Sequence, residues 1–173
     1  MQKNSDAVSK YTDYHPNGVI KTIAHYQNDK LCGPMTLYDE SGRVLQKANY
    51  KEGMLDGVLT IYLAGKKYCE KNFLSGKLDG ESRFYNEAEN LALSQNYKAD
   101  QLHGKSSWYY ENGGLLKVAY FNFNKLHGKV ISYLGNGKAF EKLHYRNGVK
   151  HGNVVQYVYQ DDQLKVNKVK TKC

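Results

Sequence analysis

Proline is nearly absent from this 173-residue chain, at two residues, and there are three cysteines and one tryptophan. Cys32, Cys69 and Cys173 are odd in number with no Cys-x-x-Cys spacing, so neither a disulfide framework nor a zinc ribbon is indicated. They read as buried or incidental thiols. Long apolar runs are missing too. No strictly apolar run exceeds four residues, Val118 to Phe121 being one, against the roughly 20 of a spanning helix, which excludes a transmembrane segment. Residues Met1 to Lys10 hold no apolar h-region, so the expected location is cytoplasmic if the chain is complete, and exported or periplasmic if a leader has been removed. What the chain does have is rings: 16 Tyr and 13% aromatic residues are too many for disorder despite a mean hydropathy of −0.72.

Glycine carries a period. It stands at Gly33, Gly57, Gly80, Gly104, Gly128 and Gly152, at intervals of 24, 23, 24, 24 and 24 residues. Five residues after each comes a tyrosine: Tyr38, Tyr62, Tyr85, Tyr109, Tyr133 and Tyr157. Seven residues before each comes another ring: Tyr26, Tyr50, Phe73, Tyr97, Phe121 and Tyr145. A third column, two residues before the glycine, reads Leu31, Leu55, Leu78, Leu102, Leu126 and then Lys150. Self-similarity of this kind marks a repeat architecture. A partial unit precedes the first, because Tyr14-His15-Pro16-Asn17-Gly18 matches Tyr109-Tyr110-Glu111-Asn112-Gly113.

A unit of 24 residues with a glycine turn in its middle and another at its end leaves two stretches of six to eight residues, which is strand length. Stretches such as Val58-Leu59-Thr60-Ile61-Tyr62 are β-rich, and glycine at such intervals would penalise a helix by about 1 kcal/mol each. Turns are expected at Glu40-Ser41-Gly42, Asn112-Gly113, Asn136-Gly137 and Asn147-Gly148. The expected fold is therefore all-β: an elongated, single-layer antiparallel meander of about six β-hairpins, roughly 12 strands, held by stacked aromatic ladders. The repeat array is expected over residues 11–164, in units near 11–32, 33–56, 57–79, 80–103, 104–127, 128–151 and a partial 152–164. A polar segment, 1–10, precedes it and a basic tail, 165–173, follows it.

Segments such as Asn124-Lys125-Leu126-His127-Gly128, Asp100-Gln101-Leu102-His103-Gly104, Gly76-Lys77-Leu78-Asp79-Gly80 and Gly53-Met54-Leu55-Asp56-Gly57 resemble MORN repeats. The Tyr-x-x-Asn-Gly starts at 14–18 and 109–113 resemble more closely the bacterial MORN-variant repeats of proteins assigned as antitoxins of toxin–antitoxin systems. The resemblance implies a binding scaffold, with links to protein partners, membranes and phosphoinositides. The chain departs from the pattern where Asn90 replaces the mid-repeat glycine after Glu89, where Leu63-Ala64-Gly65 is one residue short, and where Lys150 replaces leucine.

The residue before each repeat glycine reads Cys32, Asp56, Asp79, His103, His127 and His151, a set with ligand chemistry. On successive hairpins these residues stand about 9.6 Å apart and cannot converge on one ion, so they read as turn residues and no metal is expected. The three histidines would still gain charge below about pH 6.5. No Gly-x-Ser-x-Gly or convergent carboxylate pair appears, and the Gly-rich segments lack the lysine of a phosphate loop. No catalytic residue, cofactor or small-molecule substrate is expected.

Charge is distributed unevenly. Residues 1–97 hold 12 basic and 12 acidic side chains; residues 98–173 hold 13 and 5, which is the whole net charge of +8. Lys105, Lys129, Lys138, Lys142, Arg146 and Lys150 lie among Trp108, Tyr109, Tyr110, Tyr133 and Tyr145, a candidate surface for an anionic partner. The expected function is a non-enzymatic scaffold for protein–protein interaction, in a bacterial setting antitoxin-like. The alternative is an adaptor for anionic membranes or phosphoinositides through the basic second half; no nucleic acid is expected.

Overall fold

A computed structural model describes residues 7–160 and 163–169, with side chains described as far as Tyr159 and at Gln163 and Leu164. Among the described residues there are seventeen β-strands and no helix. The chain divides into two compact units, Met1–Ser82 and Arg83–Cys173. The first contains β1 (Ser9–Tyr14), β2 (Ile20–Gln27), β3 (Lys30–Leu31), β4 (Gly33–Tyr38), β5 (Val44–Lys51), β6 (Met54–Leu55), β7 (Gly57–Leu63) and β8 (Lys66–Leu74). The unit boundary falls inside β9 (Lys77–Tyr85). The second contains β10 (Leu91–Lys98), β11 (Gln101–Tyr109), β12 (Leu115–Asn122), β13 (Lys125–Tyr133), β14 (Ala139–Arg146), β15 (Val149–Lys150), β16 (Val154–Gln160) and β17 (Gln163–Val169). Within each unit the pairing is antiparallel between successive hairpin arms, with β3, β6 and β15 joining β4, β7 and β16 against the same neighbouring strand, so the expected hairpin meander is the observed fold.

Two kinds of turn alternate. One is a two-residue connection with both φ positive: Asn28-Asp29 (53°, 59°), Ala99-Asp100 (47°, 67°) and Phe123-Asn124 (46°, 65°), joined by Glu52-Gly53 and Asn147-Gly148. Paired positive φ is the type I′ geometry that matches strand twist. The other is a five-residue loop, as at Asp39, whose N–H donates to Arg43 O at 2.8 Å while Gly42 N donates to Asp39 O at 2.9 Å. The same two bonds recur at His15, Asn86, Tyr110 and Leu134. They correct the alignment of Asn90: Glu89 N donates to Asn86 O, and Glu89, at φ 60°, takes the place of glycine. Where the loop is short, Ala64-Gly65 (51°, 81°) closes a tight hairpin instead.

The repeat glycines occupy no turn. Gly80, Gly104 and Gly128 sit inside strands, Gly33 and Gly57 open β4 and β7, and Gly152 lies between β15 and β16, and the register shows a bulge there. Phe121 pairs with Leu126 but Ala119 pairs with Val130, so one residue on β12 faces three on β13, centred on Gly128. The same step separates Tyr97↔Leu102 from Gln95↔Ser106 around Gly104, and it cuts the two-residue β3, β6 and β15 from the strands that follow. Those cuts add three to the strand count. Four of the repeat glycines also face the ring of the next repeat across the ladder: Gly33↔Tyr50, Gly57↔Phe73, Gly104↔Phe121 and Gly128↔Tyr145. A missing Cβ beside a large ring lets the ring lie over the backbone. The residues before these glycines, Asp56 and His151 among them, are therefore bulge residues rather than turn residues; their N–H groups bond Asn49 O and His144 O.

The rings are not the buried core. Both aromatic columns are half-buried, and the buried apolar residues are mostly small: Ala24, Ala48, Leu59, Cys69, Val118, Ala119, Val130 and Val154. Ser82, Ser94, Ser106 and Ser107 join them. A sheet one layer thick offers no second layer to enclose a ring, so small side chains vanish between larger neighbours that stay partly wet. Backbone bonds tie repeat to repeat instead. The tight-turn N–H groups of Gly53, Gly76, Asn124 and Gly148 donate to the carbonyls of Leu31, Leu55, Leu102 and Leu126 of the preceding unit at 2.7–2.9 Å.

Candidate functional site

In the second unit, side-chain direction follows from cross-strand pairing. Ala119 faces Val130 on one side of the sheet, so Tyr120 and Lys129, one residue along each strand, point to the other. Lys105 pairs with Tyr120 and Lys129 with His144, and alternation along β14 adds Lys142 and Arg146 to the same face. Lys98 pairs with Gln101 and Lys125 with Asn122, which places both there as well. Across β10 to β16 the one carboxylate in a described strand is Glu141, and it pairs with Ser132 and Gln156 on the opposite face. Six cations thus share a face whose strands hold no carboxylate.

Four members of the predicted surface, Lys105, Lys129, Lys142 and Arg146, are brought together in this way. Lys150 is not: it pairs with Tyr145 on the other face. Lys138 stands in a loop, its Nζ 5.0 Å from the Tyr159 ring centroid. Of the rings named with them, Trp108 also faces away, 5.4 Å beneath Lys117 Nζ, while Tyr110 donates its OH to Tyr133 O at 2.7 Å. The ion pairs Lys21–Asp13, Arg43–Asp39 and Lys67–Glu70 lie in the first unit. Within its strands the cationic face has no carboxylate to offset its charge. Tyr120 (41% exposed) stands on it between Lys105 and Gly128, and Phe140 (40%) is exposed nearby.

Histidine adds a titratable element. Burial pushes the His144 imidazole below its ordinary value, and Lys142, Lys129 and His151 push it the same way. His127 Nδ1 lies 3.2 Å from Asn147 Oδ1, and the His103 ring packs against Phe123 with centroids 4.7 Å apart. No group of three or more metal-ligating side chains occurs among the described residues. Cys69 is buried, its thiol pushed up by that burial, and so is inert; Cys32 is half-buried, and Cys173 lies outside the described residues. The lysines of the expected tail divide: Lys165 and Lys168 belong to β17, paired with Val158 and Val155, while Lys170 and Lys172 lie outside the described residues.

Sequence reasoning missed one recurrent contact. Eight residues before the repeat glycine, His25, Asn72 and Asn96 reach over the bulge to the carbonyls of Pro34, Glu81 and Lys105. Asparagine at that position in three successive units, Asn49, Asn72 and Asn96, was the available signal.

Hairpins closed by the five-residue loop are the unit that comparison with known proteins picks out. Three stretches match the MORN repeat variant. They are residues 9–28, 31–52 and 102–122. Each covers one loop-closed hairpin, β1–β2, β3–β5 and β11–β12, so the MORN phase starts about two residues before the repeat glycine. MORN repeats are associated with protein or membrane binding. No curated protein matches the chain.

Proposed function

We propose that the chain is a non-enzymatic repeat scaffold that binds an acidic protein partner on the cationic face of residues 98–146. The observation that supports it is the sorting of charge: six cations on one side of one unit, with the nearby strand carboxylate on the other. The fold does not require that arrangement, since the first unit builds the same hairpins with Asp56 and Glu70 among its strand and bulge residues. Complementary potential of this kind raises encounter rates and excludes cationic partners. The antitoxin-like form of the reading makes that partner a toxin and rests on the resemblance alone. A second reading, an anionic membrane, is favoured by exposed Phe140, Leu134 and Val149 beside the cations.

The test is titration of a fluorescent poly-aspartate peptide, beside co-sedimentation with anionic and neutral vesicles, at physiological ionic strength of about 0.15 M. Binding of the peptide that is lost in Lys105→Glu/Lys129→Glu/Arg146→Glu supports the protein scaffold. Pelleting with anionic vesicles at that salt, without peptide binding, transfers the face to the membrane. Peptide binding that survives charge reversal would sink the site.

A further inference from the structure

We propose that engagement of an acidic partner on this face is coupled to uptake of a proton by His144, so that the scaffold holds its partner more tightly as pH falls below neutral. The inference rests on the reading above and adds a regulation to it. His144 lies in the middle of the cation field: Lys129 pairs with it from β13, and Lys142 and Arg146 flank it along β14. From the segment after β15, His151 donates its N–H to the His144 carbonyl at 2.8 Å. On the β16 side the residue facing Lys142 is Val155, which brings no charge. No carboxylate on any of these elements shares the face.

In the free protein, then, every charged neighbour opposes protonation of His144, and partial burial acts in the same direction, so the ring is neutral at pH 7. A carboxylate-rich segment laid over Lys129 and Lys142 cancels their field and adds attraction of its own. The bound-state pKa must rise. Sign and window follow: a group whose pKa is higher in the complex strengthens binding as pH falls through the bound value, and the gain is complete below the free value. Each unit of difference is about tenfold in affinity.

The other histidines are placed differently. His127 Nδ1 is engaged with Asn147, and the His103 ring rests on Phe123 with Nδ1 buried. His15 and His25 bond the carbonyls of Tyr38 and Pro34 in the first unit. Two histidines have a lysine directly opposite, His25 across from Lys10 and His144 across from Lys129, and of these His25 is tied to the Pro34 carbonyl.

The experiment is titration of the full chain with the same poly-aspartate peptide at about pH 7.5 and pH 5.5, a range in which histidine, and not aspartate, changes charge. The expected result is roughly tenfold tighter binding at the lower pH. His144→Gln, whatever its affinity at the higher pH, should lose most of the gain between the two pH values. The His144 ring resonances, followed by NMR through pH with and without peptide, should titrate higher in the complex; this reading needs no variant and serves if His144→Gln misfolds. Peptide bound equally at both pH values, a gain that persists in a folded His144→Gln, or an unmoved His144 pKa overturns the proton coupling while leaving the scaffold intact. No binding at either pH overturns the scaffold reading itself.

Discussion

Substituting alanine at the repeat glycines should produce a graded series, because the six equivalent positions differ in backbone angle and in what a Cβ would meet. At Gly33 φ is +69°, close to the left-handed region, and nothing lies within 4 Å of an added Cβ. Gly33→Ala should therefore cost only the left-handed penalty of about 1–2 kcal/mol. At Gly128 φ is +100°, outside that region, and the new Cβ would stand 3.6 Å from Tyr120 Cβ, an ordinary contact. Backbone strain dominates there, at about 2–3 kcal/mol. Gly80 shares the φ of +100° but would bring Cβ to 3.3 Å from Asn72 Cβ, a strand atom that cannot rotate away. Overpacking then adds about 1 kcal/mol, for a total of about 3–4. Thermal melts resolve the series, since 1 kcal/mol moves the midpoint of a chain this long by about 2–4 °C. Circular dichroism and tyrosine fluorescence should be recorded together, because repeat arrays depart from two-state unfolding. Equal losses at the three sites, or a neutral Gly80→Ala, would refute the bulge geometry and return these glycines to simple turns.

Glu89→Gly should stabilise by about 0.5–1 kcal/mol in urea unfolding, since a non-glycine residue holds φ 60° there. Tyr109→Ala should cost about 2 kcal/mol, short of the 3–5 of an enclosed ring, because Tyr109 is half-buried; a loss above that would restore the ladder of packed rings. The N–H groups of Arg43 and Ser41 and the Arg43 guanidinium hold the Asp39 carboxyl below its usual range. Its contribution to stability is thus present above about pH 4 and lost as pH falls through the lowered value, so Asp39→Asn should lower stability at neutral pH, leave it little changed at the acid end, and so flatten the acid limb of a stability-versus-pH curve.

The period, the hairpin and the strand class were legible because they are written in residue types with few alternatives: glycine at an unusual φ, rings at a fixed offset, Asn-Gly at loops. What glycine was doing was not legible. A positive φ serves a turn and a bulge alike, and only the register, Ala119 with Val130 but Phe121 with Leu126, tells them apart. Ladder burial failed for a related reason. Column regularity shows that Tyr109 and Phe121 occupy equivalent places, but not whether anything covers them. The cation cluster was half legible: composition located it between residues 98 and 150, yet a strand turns alternate residues to opposite faces, and Lys150 and Trp108 fell on the wrong side.

One position separates what the fold needs from what a partner would read. The residue just after the repeat glycine is Pro34, Val58, Glu81, Lys105, Lys129 and Asn153. Pro34, Lys105 and Lys129 pair in the same register, opposite Asn49, Tyr120 and His144, beside a glycine of positive φ. A backbone that accepts proline, valine and lysine at one place is indifferent to the side chain there, so its identity carries no folding information. The preceding glycine, the facing ring and the leucine carbonyl carry that. Lysine in two successive units, with Lys142 and Arg146 on the same side, is therefore a property of the surface and not of the scaffold. Moving the pair tests this directly: Val58→Lys with Lys105→Val should keep the melting temperature within about 2 °C, since surface changes stay near ±0.5 kcal/mol, while shifting peptide binding toward the first unit.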